Sequence, residues 1–221
     1  MTIQMSRITI IPAGFMQIRA PKTAAAVGWW VVPGKTCIGA YQAKGAASLA
    51  ASYVNLASPG VGDLVAVTAP AGGWDVGNGW KFTNVPAGGC LQAPTVTDGY
   101  TFLMQFTNAV AANAYMCTTV DGFWRMRQRA PGIDVEYTYK AGMRYVPPWI
   151  TAGNYGMAAG QGYRNGAADG TPASGASVIN SAMYIGAATY PAAMYVRAYV
   201  LYSAILTAPQ MLAVATAMAA L

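Results

Sequence analysis

Few residues in this chain can give or take a proton near neutral pH. There is no histidine, which removes the commonest general base and the commonest metal ligand. The seven acids are Asp63, Asp75, Asp98, Asp121, Asp134, Glu136 and Asp169, and only Asp134 and Glu136 are close in sequence. In a strand, Asp134-Val135-Glu136 places both carboxylates on one face. Glycoside hydrolysis uses such a pair when the carboxyl groups lie about 5–5.5 Å or about 6.5–9.5 Å apart. No second glutamate exists to extend it. Serine, threonine and cysteine nucleophiles have no histidine to activate them. Cys37, Cys90 and Cys117 are odd in number and widely spaced, without a CxxC pair, so neither a disulfide framework nor a zinc site is expected, and a reducing compartment during synthesis fits. These residues together lead to the expectation that the chain is not an enzyme and uses no cofactor.

The basic residues carry a different chemistry. Thirteen of them against seven acids give a net charge of +6, yet only Arg125, Arg127 and Arg129 are clustered. Their alternation puts all three on one face of a strand. A solvated strand face is the expected role, with an anion or glycan contact as the alternative. No dense basic stripe calls for nucleic acid. No run of eighteen apolar residues spans a membrane, and the N-terminus carries no credible cleavable signal. Aromatic residues near turns, Trp74, Trp124, Trp149, Tyr155 and Tyr163, are candidates for stacking on a sugar ring or a partner surface, weighed against ordinary core packing.

The elements that must position these groups read as all-β. Between residues 61 and 206, short runs rich in β-branched and aromatic residues recur: Leu64–Thr68, Gly79–Phe82, Tyr100–Asn108, Ala114–Thr119, Phe123–Gln128, Val135–Tyr139, Tyr155–Ala159, Gln161–Arg164, Ser181–Ile185 and Met194–Tyr202. Asn78-Gly79, Asp98-Gly99, Asp121-Gly122, Asn165-Gly166 and Asp169-Gly170 punctuate them as turns, because both residue types reach positive φ readily. This pattern predicts an antiparallel sandwich. The Ala-rich stretch from Lys44 to Tyr53 has room for one helical turn or two, because Gly45 and Ser58-Pro59-Gly60 keep it short. At the end of the chain, Thr207-Ala208-Pro209-Gln210 is a capping-box sequence with proline in the first turn. Met211, Val214, Ala215, Met218 and Leu221 then follow at helical spacing.

Residues 1–35 read as an extended N-terminal arm, because Pro12 and Gly14 forbid a regular helix. Its Ile8, Ile10, Ile11 and Phe15, flanked by Arg7 and Arg19, are candidates for burial against a partner or for strand addition to a neighbour. Residues 36–221 read as the folded domain. Hydrophobic residues make up 55% of the chain and charged residues 9%, against about 25% charged in an ordinary soluble chain. A surface so poor in charge is expected to be covered in part by other subunits.

Three segments of the C-terminal half carry a resemblance. Gln161-Gly162-Tyr163-Arg164-Asn165-Gly166, Met183-Tyr184-Ile185-Gly186, and Tyr195 to Tyr202 leading through Leu206-Thr207-Ala208-Pro209-Gln210 into the terminal helix together resemble the laminin-G-like, concanavalin A-type jelly roll. Asn78-Gly79-Trp80-Lys81-Phe82 is similar to that family's early strand, and the stretch Ala40–Gly60 is similar to the leader that precedes the domain in environmental and phage-derived proteins. The likeness covers about residues 40–221. It implies an antiparallel β-sandwich jelly roll closed by a short C-terminal helix. The family's calcium sites need clustered oxygen ligands, which the isolated acids do not offer. Its hydrolytic motif is Glu-x-Asp-x-x-Glu, and Tyr139 stands where the third acid would be.

In phage proteins the resemblance implies a virion component made in the bacterial cytoplasm. The expected function is a capsid decoration or cement protein, whose partners are the major capsid protein or other virion subunits and copies of itself, a trimer by analogy. The alternative expectation is a glycan-binding module of a tail fibre or a cell surface.

Overall fold

The computed structural model describes residues 28–85, 88–110, 114–129, 134–146, 148, 150–172, 175–187 and 191–221. The arm residues Arg7, Ile8, Ile10, Ile11, Phe15 and Arg19, and also Trp149, lie outside the described residues. In chain order the elements begin with β1 (Cys37–Gln42), α1 (Leu49–Ser52), β2 (Val65–Thr68), β3 (Trp74–Asp75), β4 (Gly79–Phe82), β5 (Cys90–Thr97) and β6 (Thr101–Thr107). They continue with β7 (Ala114–Thr119), β8 (Trp124–Gln128), β9 (Val135–Tyr139), β10 (Gly142–Val146), β11 (Gly153–Ala158) and β12 (Gln161–Arg164). The last are β13 (Ala167–Gly170), β14 (Asn180–Gly186), β15 (Met194–Tyr202) and α2 (Ala208–Ala219).

The strands form two antiparallel sheets. One has eight strands in the order β13-β12-β11-β6-β15-β4-β3, with β1 also paired to β15; the other has seven in the order β10-β9-β8-β7-β14-β5-β2. The predicted antiparallel sandwich is thus the observed fold. Alternation along each strand explains why the sheets stack: in β8, Trp124, Met126 and Gln128 point inward while Arg125 and Arg127 point outward. Between the sheets, Phe102 meets Trp124 edge-on at 5.2 Å and stacks on Tyr199 at 6.1 Å. Phe106 stacks on Tyr155 at 5.2 Å. Such ring pairs bury large apolar surfaces at favourable quadrupole geometry.

The C-terminal helix forms as its sequence predicts. Gln210 Oε1 accepts from the Thr207 N–H at 2.9 Å, the reach-back half of the capping box. Met211, Val214, Ala215 and Met218 are buried against the outer face of the eight-stranded sheet, beside Leu103, Ala158, Val200 and Tyr202. Val32, Trp29 and Trp30 extend this layer, and the Tyr202 hydroxyl donates to the Trp30 carbonyl at 2.7 Å. The outer face of the eight-stranded sheet is therefore covered across β6, β11, β12 and the end of β15, while Lys81 at its β4 end stays exposed. No described helix covers the outer face of the seven-stranded sheet.

Some local expectations need correction. Asp169-Gly170 is not a turn but the end of β13, because Arg164 Nε and Nη2 donate to Asp169 Oδ2 at 3.0 and 2.8 Å and the Tyr137 hydroxyl donates to the same oxygen at 2.8 Å. Asp98-Gly99 joins β5 to β6, which belong to different sheets, rather than closing a hairpin. β1, β3, β5, β10 and β13 were absent from the expected strands. Asn55 explains how the leader folds onto β1. Its amide donates to the carbonyls of Ile38 and Val61 at 2.9 and 2.8 Å, and its Oδ1 accepts from the backbones of Ala40 and Ala57 at 3.0 and 3.1 Å.

Candidate functional site

The open face of the seven-stranded sheet holds a shallow pocket of about 230 Å³, lined by Tyr115, Thr118, Asp121, Arg125 and Tyr184 among others. Its construction follows from register. Thr118 pairs with Arg125 on one side and with Tyr184 on the other, so these three side chains form a row across the strands. Tyr115, Arg127 and Glu136 form the parallel row, two residues further along β8 and thus about 7 Å away.

A β-bulge makes this possible. Strict alternation would place Tyr115 and Thr118 on opposite faces. Instead the register shifts between Tyr115 and Cys117, and Met116 and Cys117 both turn into the core. The extra residue leaves Tyr115 and Thr118 facing outward together, a typical effect of a bulge. The β7–β8 turn closes one end of the pocket: Asp121 Oδ1 accepts from the Thr119 hydroxyl at 2.6 Å and from the Phe123 N–H at 3.0 Å. Beneath the pocket the Cys117 thiol is held well above its usual pKa by burial.

Beside the pocket lies the arginine row. Arg125 donates from Nε to Glu136 Oε1 at 3.0 Å, and its Nη2 lies 3.0 Å from the same oxygen. The Thr138 hydroxyl donates to that oxygen as well, at 3.0 Å. Arg129 Nη1 is 3.6 Å from Glu136 Oε2, and Arg127 Nη1 is 4.0 Å from it. The glutamate side chain is 1% exposed, while those of Arg125, Arg127 and Arg129 are 24%, 23% and 42% exposed. The Arg127 guanidinium lies over the Tyr115 ring at 5.2 Å and that of Arg125 at 5.9 Å, a cation–π arrangement that orients both. The expected solvated strand face is thus an ordered cluster around one carboxylate.

The aromatics singled out from sequence fall elsewhere. Trp124 and Tyr155 are fully enclosed between the sheets, because their positions alternate with outward-facing residues. Tyr163 is buried under α2. Trp74 packs at the core's edge and donates from Nε1 to the Ala43 carbonyl at 2.7 Å. The described members of that set are therefore packing residues, the role weighed against stacking on a ligand. The aromatics that do flank the pocket, Tyr115 and Tyr184, escaped the sequence reading. Nearness to turns singled out the others, whereas Tyr115 and Tyr184 reach the pocket through the pairing of β7 with β8 and β14.

No family model and no curated protein matches the chain. Among solved structures, a mutant of Trypanosoma rangeli sialidase displaying trans-sialidase activity is similar with a TM-score of 0.59 and 18% identity, over 82% of this chain and 33% of that one. The chain thus spans about a third of the sialidase's length. Domain 4 of a GH43 extracellular arabinanase from Geobacillus stearothermophilus, in complex with arabinotriose, is similar with a TM-score of 0.55 and 8% identity, over 82% of this chain and 98% of that one. The HCR/D F1240A mutant matches with a TM-score of 0.53 and 10% identity, over 81% of this chain and 50% of that one.

These similarities overturn the expectation that the chain is not an enzyme, since its first fold neighbours are sialidases and an enzyme fold is compatible with the structure. The physical reason is that the sequence reading required histidine or paired carboxylates. At identities this low the likeness concerns fold alone, and the fold is a concanavalin A-like β-sandwich jelly roll.

Proposed function

We propose that this chain recognises carbohydrate on the open face of its seven-stranded sheet, in the pocket between Tyr115 and Tyr184. The observation that carries the reading is the asymmetry of the sandwich. Among the described residues a helix packs on the outer face of one sheet, whereas the other sheet, with no such helix, presents two half-buried tyrosines, a threonine hydroxyl and a fixed guanidinium around one depression. Rings that stack and polar groups that fix hydroxyls are what sugar recognition requires. The likeness to an arabinanase domain described in complex with arabinotriose, over 98% of that domain, supports the same reading. Recognition is common to a binding module and to a glycosidase, and it is recognition that is proposed.

A glycan array probed with the purified chain tests this. Retained glycans are expected, and Tyr184→Ala is expected to weaken retention by about tenfold, the worth of one stacked ring. An array with no signal above background, or equal retention by Tyr184→Ala, refutes the proposal. Assaying the retained glycans for released sugar then separates binding from hydrolysis. The first expectation drawn from sequence, a phage capsid decoration protein that joins neighbouring subunits through residues 1–35, stays a proposal resting on the arm and the low charge content. Rebinding to stripped capsids, with and without residues 1–20, would decide it.

A further inference from the structure

We infer that the sugar recognised on this face is acidic, and that its carboxylate is taken by the arginine row at Arg127. The inference rests on the proposed carbohydrate site and names the class of ligand it takes.

Charge bookkeeping comes first. Arg125, Arg127 and Arg129 bring three positive charges to one strand face, and Glu136 supplies one negative charge among them. Asp134, half-buried just before β9, accepts from the Arg129 N–H through its backbone carbonyl at 3.2 Å. Even with the Asp134 carboxylate counted, one net positive charge is left at this end of the face. Asp121 stands at the opposite, turn end of the pocket with one oxygen engaged by Thr119 and Phe123.

The three guanidinium groups are not equally committed. Arg125 spends Nε and Nη2 on Glu136 Oε1. Arg127 approaches Glu136 only to 4.0 Å, beyond hydrogen-bond reach. Its Nε is buried without a hydrogen-bond partner among the described residues, and its side chain is still 23% exposed. Tyr115 lies under the Arg127 guanidinium at 5.2 Å, so the group is held in place and presents an ordered fork rather than a mobile charge. A planar fork of N–H donors matches a carboxylate. The same cluster already holds one carboxylate, that of Glu136, whose Oε1 lies 3.0 Å from both Nε and Nη2 of Arg125. Arg127 is the direct cross-strand partner of Tyr115, which lines the pocket, so Arg127 stands just beyond the pocket's edge, within reach of a substituent that projects past Tyr115.

The test is an array on which uronate- and sialate-terminated glycans are each printed beside their methyl esters and beside sulfated neutral glycans. Wild-type protein is expected to retain acidic members and to lose at least about tenfold on esterification, the worth of a charge-assisted pair. Arg127→Ala is expected to abolish that difference, and Arg127→Lys, which keeps the charge but not the fork, to restore it in part. Equal retention of acids and esters by wild type overturns the inference and leaves the proposed carbohydrate site standing. Equal retention of sulfated glycans overturns its carboxylate specificity. An array with no retained glycan overturns both readings.

Discussion

Glu136 and Trp124 belong to neighbouring strands and face opposite ways, and each sets a local stability. Glu136 has 1% of its side chain exposed and three arginines around it. Its removal by Glu136→Ala takes the shared carboxylate from three arginines on one face and is expected to cost about 2–4 kcal/mol, toward the low end for a buried pair because the arginines are partly solvated. Glu136→Gln, which keeps the shape and one acceptor, should cost less; urea unfolding measures both. Equal and negligible losses would mean that the cluster is not held by charge. Trp124→Ala empties a fully buried site between Phe102 and Tyr139 and is expected to cost about 3–5 kcal/mol. The alternation of Arg125, Arg127 and Arg129 was legible in the sequence. Their convergence on Glu136 was not, because it depends on the pairing of Arg127 with Glu136 across β8 and β9, and register is a property of two strands.

At the level of elements, the turns show why some strands were visible and others hidden. The β12–β13 turn uses Asn165 and Gly166 at φ of 50° and 80°, the dipeptide that such hairpins favour. A Cβ on Gly166 would also come within 2.6 Å of Leu212 Cα in α2, so Gly166→Ala is expected to cost about 1–3 kcal/mol through strain and a lost helix contact. The β9–β10 turn makes the same excursion with Lys140 and Ala141 at φ of 53° and 66°, residues that carry no turn signal. β10 was therefore invisible to sequence. Relief of this strain predicts that Ala141→Gly stabilises the fold by about 0.5–1 kcal/mol, a gain that thermal denaturation would register. A drop in melting temperature would contradict it. β5 was hidden by Pro94, a residue that argues against a strand, and β13 by Ala167-Ala168-Asp169-Gly170, which has no strand former. The bulge in β7 hid half of the candidate site, since it brings Tyr115 and Thr118 to one face against their sequence parity.

For the molecule as a whole, the fold class and the terminal helix were readable because they rest on repeated, local signals: alternation, Asn-Gly and Asp-Gly turns, and the Thr207–Gln210 cap. The contrast between a sheet that carries a helix on its outer face and one on which no described helix packs was not readable, as it emerges only when α2 and residues 29–32 settle on one side. The enclosed core also predicts a pH response. Burial pushes the Cys90 thiol from its ordinary 9.0 up to about 12 and the Cys37 thiol to about 11, and holds the Tyr137 and Tyr199 hydroxyls well above their usual range. Groups whose pKa is raised on folding stabilise the fold fully below the unfolded value. That contribution falls away as the pH rises through the folded one. Stability is therefore expected to decline from about pH 9 upward, visible as a falling melting temperature between pH 8 and 11; an unchanged melting temperature over that range would contradict the burial of these groups. The claim that the open face is the working face is tested most directly by titration calorimetry of an array-selected glycan against the wild type, Tyr115→Ala, Tyr184→Ala and, on the opposite side of the sandwich, Val31→Ser. The account predicts binding about tenfold weaker or worse for the two tyrosine variants and unchanged for Val31→Ser, with melting temperatures preserved. Undiminished binding by both tyrosine variants, or loss only in Val31→Ser, would contradict it.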